Sequence, residues 1–379
     1  METIRHMFQD YVVIDNKIWF SSSIMNGLFC AETDGGNAEL MGIFPEEEVF
    51  QFRLYTDIYV YENNLVFIPH RGNNICIYNL YNKSFMRIDS PLSRNERQGR
   101  PYFTVQYEEK IFLCHDFMKE LVVLNMQNVS LQKYAVPNGV RKKIPRFWWI
   151  KCIVDNCAYM VVDCFLITIQ LSCNEIKIQE IGEGNIHFVC IEYDGEKFWI
   201  VDDLNQLYSY QLGEKSAKRE LQLLQERWEG LIPQIKSISI GNKVMWCFFN
   251  NKNYIVCIDL STMKKEIVQL PQPDVVPRYI EYSYLDFENH QIRISMGGEN
   301  KHWILDTDTK KWRMIYYKTL WEDIAYQYKK CLKKENILLD ETFIGMGLEV
   351  IRYYLTIQNS NEVSGHQKSY GKEIYQYLQ

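Results

Sequence analysis

The sequence predicts an all-β protein: a seven-bladed β-propeller of four-stranded antiparallel blades with a small α-helical C-terminal extension. Three observations predict it. One strand–turn–strand pattern is written seven times, beginning near Tyr11, Asp57, Phe103, Lys151, Val189, Ser237 and Tyr282. The anchors of the second strand are Ile18, Leu65, Ile111, Ala158, Phe198, Val244 and Ile292, at steps of 47, 46, 47, 40, 46 and 48 residues. Each copy holds four short apolar segments separated by polar turns. A period of ~40–50 residues with four strands per unit suits stacked blades, because each blade buries its faces against its neighbours.

The second copy shows the elements in order. Asp57–Tyr61 alternates polar and apolar residues, as a half-buried strand does. Glu62-Asn63-Asn64 is a turn, since Asn tolerates positive φ. Leu65–Ile68 is continuously apolar, as expected of a strand covered on both faces. Pro69–Asn74 is a loop, Ile75–Tyr78 the third strand, and Phe85–Ile88 the fourth. The first turn recurs as Asp15-Asn16, Glu108-Glu109, Asp155-Asn156, Asp194-Gly195, Gly241-Asn242 and Glu288-Asn289. Alternating strands with Asn, Asp or Gly between them are hairpin signals.

The seventh copy resembles a Kelch repeat. Gly297-Gly298 follows its second strand, then come Trp303 and Asp306, then Lys310-Lys311-Trp312. The other six copies lack the Gly pair and mostly the Trp. The resemblance to the Kelch-like propeller superfamily covers roughly residues 9–317. It implies a propeller and leaves the activity open, because propellers serve both as enzymes and as scaffolds.

Residues 9–317 are thus expected to form the propeller and 318–379 the helical extension. Leu320, Ile324, Tyr328, Cys331 and Leu332 recur at helical spacing. Further helices are expected over Glu341 to Thr356 and Tyr370 to Leu378, as a cover for one end of the propeller or as a docking arm. Few N-terminal residues remain to complete blade 7, so closure is expected to rest on blade 1 packing against blade 7, aided by the C-terminal segment.

The net charge of −6 argues against a nucleic-acid-binding face. No apolar targeting segment and no run of 18 apolar residues occurs, so no membrane span is expected. The eleven cysteines fall mostly within strands and none forms a CxxC pair. They are expected to be buried thiols in a reducing cytoplasm. No P-loop, HExxH, GxSxG or EF-hand string occurs, and no cofactor is expected.

Candidate site residues lie on the loops after second and fourth strands, which open on one face. Long loops on a rigid scaffold carry function. Arg71, Arg97, Arg141, Lys142, Arg146, Trp148 and Trp149 are the candidate binding residues there, a mixture of Arg and Trp typical of protein interfaces. His70, His115, Asp116, Asp163 and Asp202 are weaker catalytic candidates at the channel mouth, where an acid–base pair or a metal could act. The first reading is therefore a non-catalytic module for a protein or peptide partner, within a biosynthetic or regulatory assembly. The alternative is a propeller lyase or hydrolase using the His and Asp residues. Titration of the denatured protein, prepared without reductant, should find nearly all eleven thiols free. Seven or fewer would overturn the reduced state.

Overall fold

The structure is a computed structural model and describes residues 3–48, 53–89, 103–114, 120–135, 152–224, 234–271, 280–286, 289–296 and 301–334. Seven antiparallel meanders follow one another. Blade 1 runs from Val12–Ile14 to Gly36–Gly42, blade 2 from Tyr55–Tyr61 to Ser84–Asp89, and blade 3 from Phe103–Tyr107 to Ser130–Ala135. Blade 4 runs from Cys152–Val154 to Glu175–Glu180, and blade 5 from Phe188–Tyr193 to Lys218–Gln222. Blade 6 runs from Ile235–Gly241 to Lys264–Gln269, and blade 7 from Ile280–Asp286 to Trp312–Ile315. Each blade contributes four strands paired in chain order. The protein is a seven-bladed β-propeller.

The turns explain why these segments fold locally. Asp15 and Asn16 have φ of 50° and 61°, and Asn242 and Lys243 of 51° and 61°. Positive φ at both central residues is the geometry whose twist matches the strands it joins. The blade 6 turn sits one residue beyond the expected Gly241-Asn242, because Gly241 pairs with Val244 inside the ladder. The middle strands are covered on both sides: Phe198–Asp202 and Gln206–Tyr210 are buried throughout. The outer strand Glu175–Glu180 is half exposed. The core is therefore a ring of inter-blade clusters. Between blades 2 and 3, for instance, Val66 and Ile77 pack on Ile111 and Val122.

Closure uses both ends of the described chain. Strand Tyr317–Leu320 leaves blade 7 and pairs parallel with the outer strand of blade 1, through Tyr317↔Gly36 and Lys318↔Asn37. Strand Thr3–Arg5 then pairs antiparallel with it. Blade 1 thus becomes a six-stranded sheet. Between these additions and its own first strand, the chain crosses the seam between blades 1 and 7. There Phe8 stacks on His302 at 4.5 Å and packs at a tilt against Phe20 at 4.4 Å. Full burial of such a ring contributes about 2–3 kcal/mol.

The two buried imidazoles of the seam are hydrogen-bonded. His302 Nε2 donates to the His6 carbonyl at 3.0 Å. Thr319 Oγ1 donates to Ala38 O at 2.5 Å, so it accepts from His6 Nε2 at 2.9 Å, and Ser22 Oγ donates to His6 Nδ1 at 3.1 Å. This network holds His6 as the neutral Nε2–H tautomer. Arg293 and Tyr317 of the closing side both donate to Thr33 O, at 2.7 and 3.0 Å.

Helix Trp321–Lys334 follows the closing strand. It buries Trp321, Ile324 and Tyr328 against blade 1, and Tyr328 Oη donates to Asn26 O at 2.6 Å. Glu322 and Asp323 in its first turn favour the positive end of the helix dipole. Among the described residues no helix is long and apolar enough to cross a membrane. The expected second and third helices lie outside the described residues.

His302 gives the seam a pH dependence. Burial, with a smaller contribution from Arg293, lowers its pKa from 6.5 to about 4. The folded state therefore resists protonation that the unfolded chain accepts. The associated stability is complete above pH 6.5 and is lost as pH falls towards 4, by about 3 kcal/mol. His302→Gln retains a donor to the His6 carbonyl and does not titrate. Denaturant unfolding at pH 7 and pH 4 should show the stability of the parent falling relative to that of the variant by about that amount. A gap unchanged between the two pH values would contradict a neutral buried His302.

Candidate functional site

A cleft of about 850 Å³ lies against blade 5, beside the connection from blade 4. Its lining comes from three stretches: 182–186 of the blade 4–5 connection, 202–208 around the second turn of blade 5, and 216–222 at its outer strand. A smaller hollow of about 510 Å³ lies between the outer edge of blade 1, the closing strand and the helix. That hollow belongs to the closure.

The connection is tied at both ends. Cys164 O accepts from Ile181 N at 2.9 Å and Gly182 N at 3.0 Å, and Asp163 O accepts from Phe188 N at 2.9 Å. On the blade 5 side, Ala217 N donates to Ile181 O at 2.6 Å and Asp203 N to His187 O at 2.9 Å. At Gly182 a Cβ would stand 2.8 Å from the ring of Phe188, so the backbone comes closer than any side chain permits. The cleft wall is therefore preformed.

Asp202 is 3% exposed, and its carboxylate organises the turn below the cleft. Oδ1 accepts from Leu204 N at 2.9 Å and Gln206 N at 2.7 Å, and Oδ2 accepts from Tyr208 Oη at 3.1 Å. Burial raises its pKa against the pull of these bonds. Asn205 follows in the left-handed region at φ 60°, and its Nδ2 donates to Gln234 Oε1 at 3.1 Å. Arg219 Nε donates to Gln206 Oε1.

Asp163 lies one blade away, on a two-residue turn, and its Oδ1 is 3.0 Å from His187 Nδ1. Asp203 stands close enough to feel both. Burial raises its carboxyl, His187 lowers it, and Asp163 raises it again. The structure thus groups Asp163, His187 and Asp203 near the cleft, with Asp202 beneath. His187 was missed in the sequence because it lies 24 residues from Asp163 in no recognised motif. The short step of 40 residues and Gly182-Glu183-Gly184 were the available signals.

His70 and Arg71 sit elsewhere, on the blade 2 loop, where their backbone N–H groups donate to Leu54 O at 2.7 Å and Arg53 O at 3.2 Å. His115, Asp116, Arg97, Arg141, Lys142, Arg146, Trp148 and Trp149 lie outside the described residues. Among the described residues no group of three or more His, Cys, Asp or Glu could hold a metal ion.

These features define a β-propeller with a polar cleft beside blade 5. No protein-family pattern matches the chain, and no curated protein sequence is similar to it. Solved structures are similar in fold. A catalytically inactive His-to-Ala variant of virginiamycin B lyase from Staphylococcus aureus, solved with quinupristin, superposes with a TM-score of 0.56 at 14% identity, over 84% of this chain and 98% of that one. PorZ, a surface component of the type-IX secretion system of Porphyromonas gingivalis, gives 0.54 at 12% identity, over 83% of this chain and 38% of its own. The computationally designed Ika8 protein gives 0.55 at 7% identity, covering 83% and 88%. A lyase, a secretion component and a designed protein share the fold, so the likeness establishes architecture alone.

The bonds of Asp202 generate a test of its role. Asp202→Ala removes the acceptor of three donors and should cost about 2 kcal/mol of unfolding free energy. Asp202→Asn keeps an oxygen for Leu204 and Gln206 and should cost less than about 1 kcal/mol. Equal losses in chemical denaturation would show that the carboxylate does not hold this turn.

Proposed function

We propose that the protein is a non-catalytic interaction module that holds a peptide segment of a partner protein in the cleft beside blade 5. One observation carries this reading: the cleft is large and its walls are fixed by backbone hydrogen bonds before any ligand arrives. A preformed site does not have to order its own chain on binding, which favours recognition of a flexible segment. Asp202, the most buried carboxylate there, is occupied in holding the turn. Leu204, 62% exposed on the lining, offers an apolar contact beside the polar ones. Kinship with Kelch-like propellers rests on Trp303, Asp306 and Trp312 of blade 7. Residence in a reducing cytoplasm rests on the free cysteines of the described residues.

A second reading, a lyase or hydrolase, is favoured by the His187–Asp163 pair. A carboxylate that orients a half-exposed imidazole is a general-base arrangement. The fold likeness to a lyase that loses activity on replacement of a histidine is compatible with it.

Selection from a random peptide display library on the purified protein tests the first reading. Enriched peptides should bind in titration with micromolar dissociation constants. Ser216→Trp places a large side chain on the exposed wall of the cleft. It should weaken these peptides roughly tenfold or more while the melting temperature is retained. Peptides that bind parent and variant alike would place recognition elsewhere and overturn the cleft as the binding site.

A further inference from the structure

We infer that the segment held in this cleft is basic and that it enters with an arginine side chain. The inference rests on the interaction-module reading of the cleft and adds the chemistry of the partner.

The first ground is charge. The lining carries three carboxylates, Glu183, Asp202 and Asp203, against one guanidinium, Arg219. Among the described residues neither Glu183 nor Asp203 stands in an ion pair. Asp163, next to His187, adds to the field that reaches Asp203.

The second ground is independent of charge and comes from hydrogen-bond valence. Several donors of the cleft are engaged. Gln222 Nε2 donates to Leu204 O at 2.8 Å and Leu224 O at 2.6 Å. Arg219 Nε is bound to Gln206, and Asn205 Nδ2 to Gln234. An acceptor is left over: Asn205, 1% exposed, lines the cleft with an Oδ1 that has no hydrogen-bond partner. A buried acceptor without a donor is costly, and a ligand that supplies one removes the cost. Charge and valence therefore ask for the same thing, a cation rich in N–H donors.

Arginine meets both demands better than lysine. Its guanidinium presents five donors in a planar fork and is more weakly hydrated than an ammonium, so it enters a confined polar cleft at lower desolvation cost. Its aliphatic stem can lie along exposed Leu204 while the head reaches the carboxylates. Burial has raised the Asp203 carboxyl, and an arriving cation favours its ionised form.

The test uses three fluorescent peptides of one Gly/Ser frame, carrying arginine, citrulline or glutamate at the same positions. Citrulline keeps the shape of arginine and removes the charge. Fluorescence anisotropy should show the arginine peptide binding roughly tenfold tighter than the citrulline peptide, with no binding of the glutamate peptide. Asp203→Asn and Glu183→Gln should each weaken the arginine peptide about fivefold and flatten its salt dependence. Glu175→Gln, on the outer strand of blade 4, should leave it unchanged, and Ser216→Trp should abolish it. Citrulline or glutamate peptides that bind as well as arginine, and are still lost with Ser216→Trp, would overturn the basic partner and keep the module. An arginine peptide indifferent to Ser216→Trp, Asp203→Asn and Glu183→Gln would overturn both.

Discussion

The seam between blades 1 and 7 is the constraint on which the ring depends. Every other blade is covalently continuous with both neighbours, so its packing partners are delivered by the chain. The last seam joins elements some 300 residues apart and must be closed by side chains and backbone pairing alone. The protein closes it by threading its N-terminal residues through the gap and capping blade 1 with two further strands. Phe8, Phe20, His302 and Tyr317 then form an aromatic plug. Buried imidazoles are tolerated there because each ring nitrogen that donates has a carbonyl or hydroxyl to receive it.

The candidate site follows from the same geometry at another seam. Blade 5 begins after a connection of only seven residues, 181–187, whereas 90–102 and 136–151 separate the strands of blades 2–3 and 3–4. A short connection cannot bow outward, so it is pulled against the turns of both blades and bonded to each. This course brings Asp163, His187 and Asp203 within electrostatic reach and leaves a cleft beside them. The cleft is thus a consequence of a local shortening of the repeat.

Buried titratable groups oppose one another across the ring. Glu47 accepts from the backbone N–H groups of Asn73 and Asn74, which ties the blade 1–2 connection to a blade 2 loop. Burial nevertheless raises its pKa to about 7, and that of Glu192 likewise. A carboxyl raised in the folded state contributes stability that is complete below its unfolded value and lost as pH rises through 7. His302 contributes with the opposite sign across pH 4 to 6.5. The two kinds of buried group therefore offset each other over the same range.

By itself the sequence determined the number of blades, the strands within each and the first helix. These rest on local periodicity and turn chemistry: Asp15-Asn16 and Asp155-Asn156 are turns wherever the blades lie. The Gly241-Asn242 turn was displaced by one residue because both registers satisfy the local pattern and only pairing with Val244 selects one. Only the tertiary structure decided how the ring closes, since Thr3–Arg5 is too short to announce its pairing with Tyr317–Leu320. It also decided what the site residues do. Asp163 and Asp202 were legible as candidates, but their partners, His187 for one and the Leu204, Gln206 and Tyr208 donors for the other, depend on how two blades and their connection meet. Strand patterns are written in neighbouring residues, whereas a cleft is written in distances between chain segments, and those exist only once the blades have packed.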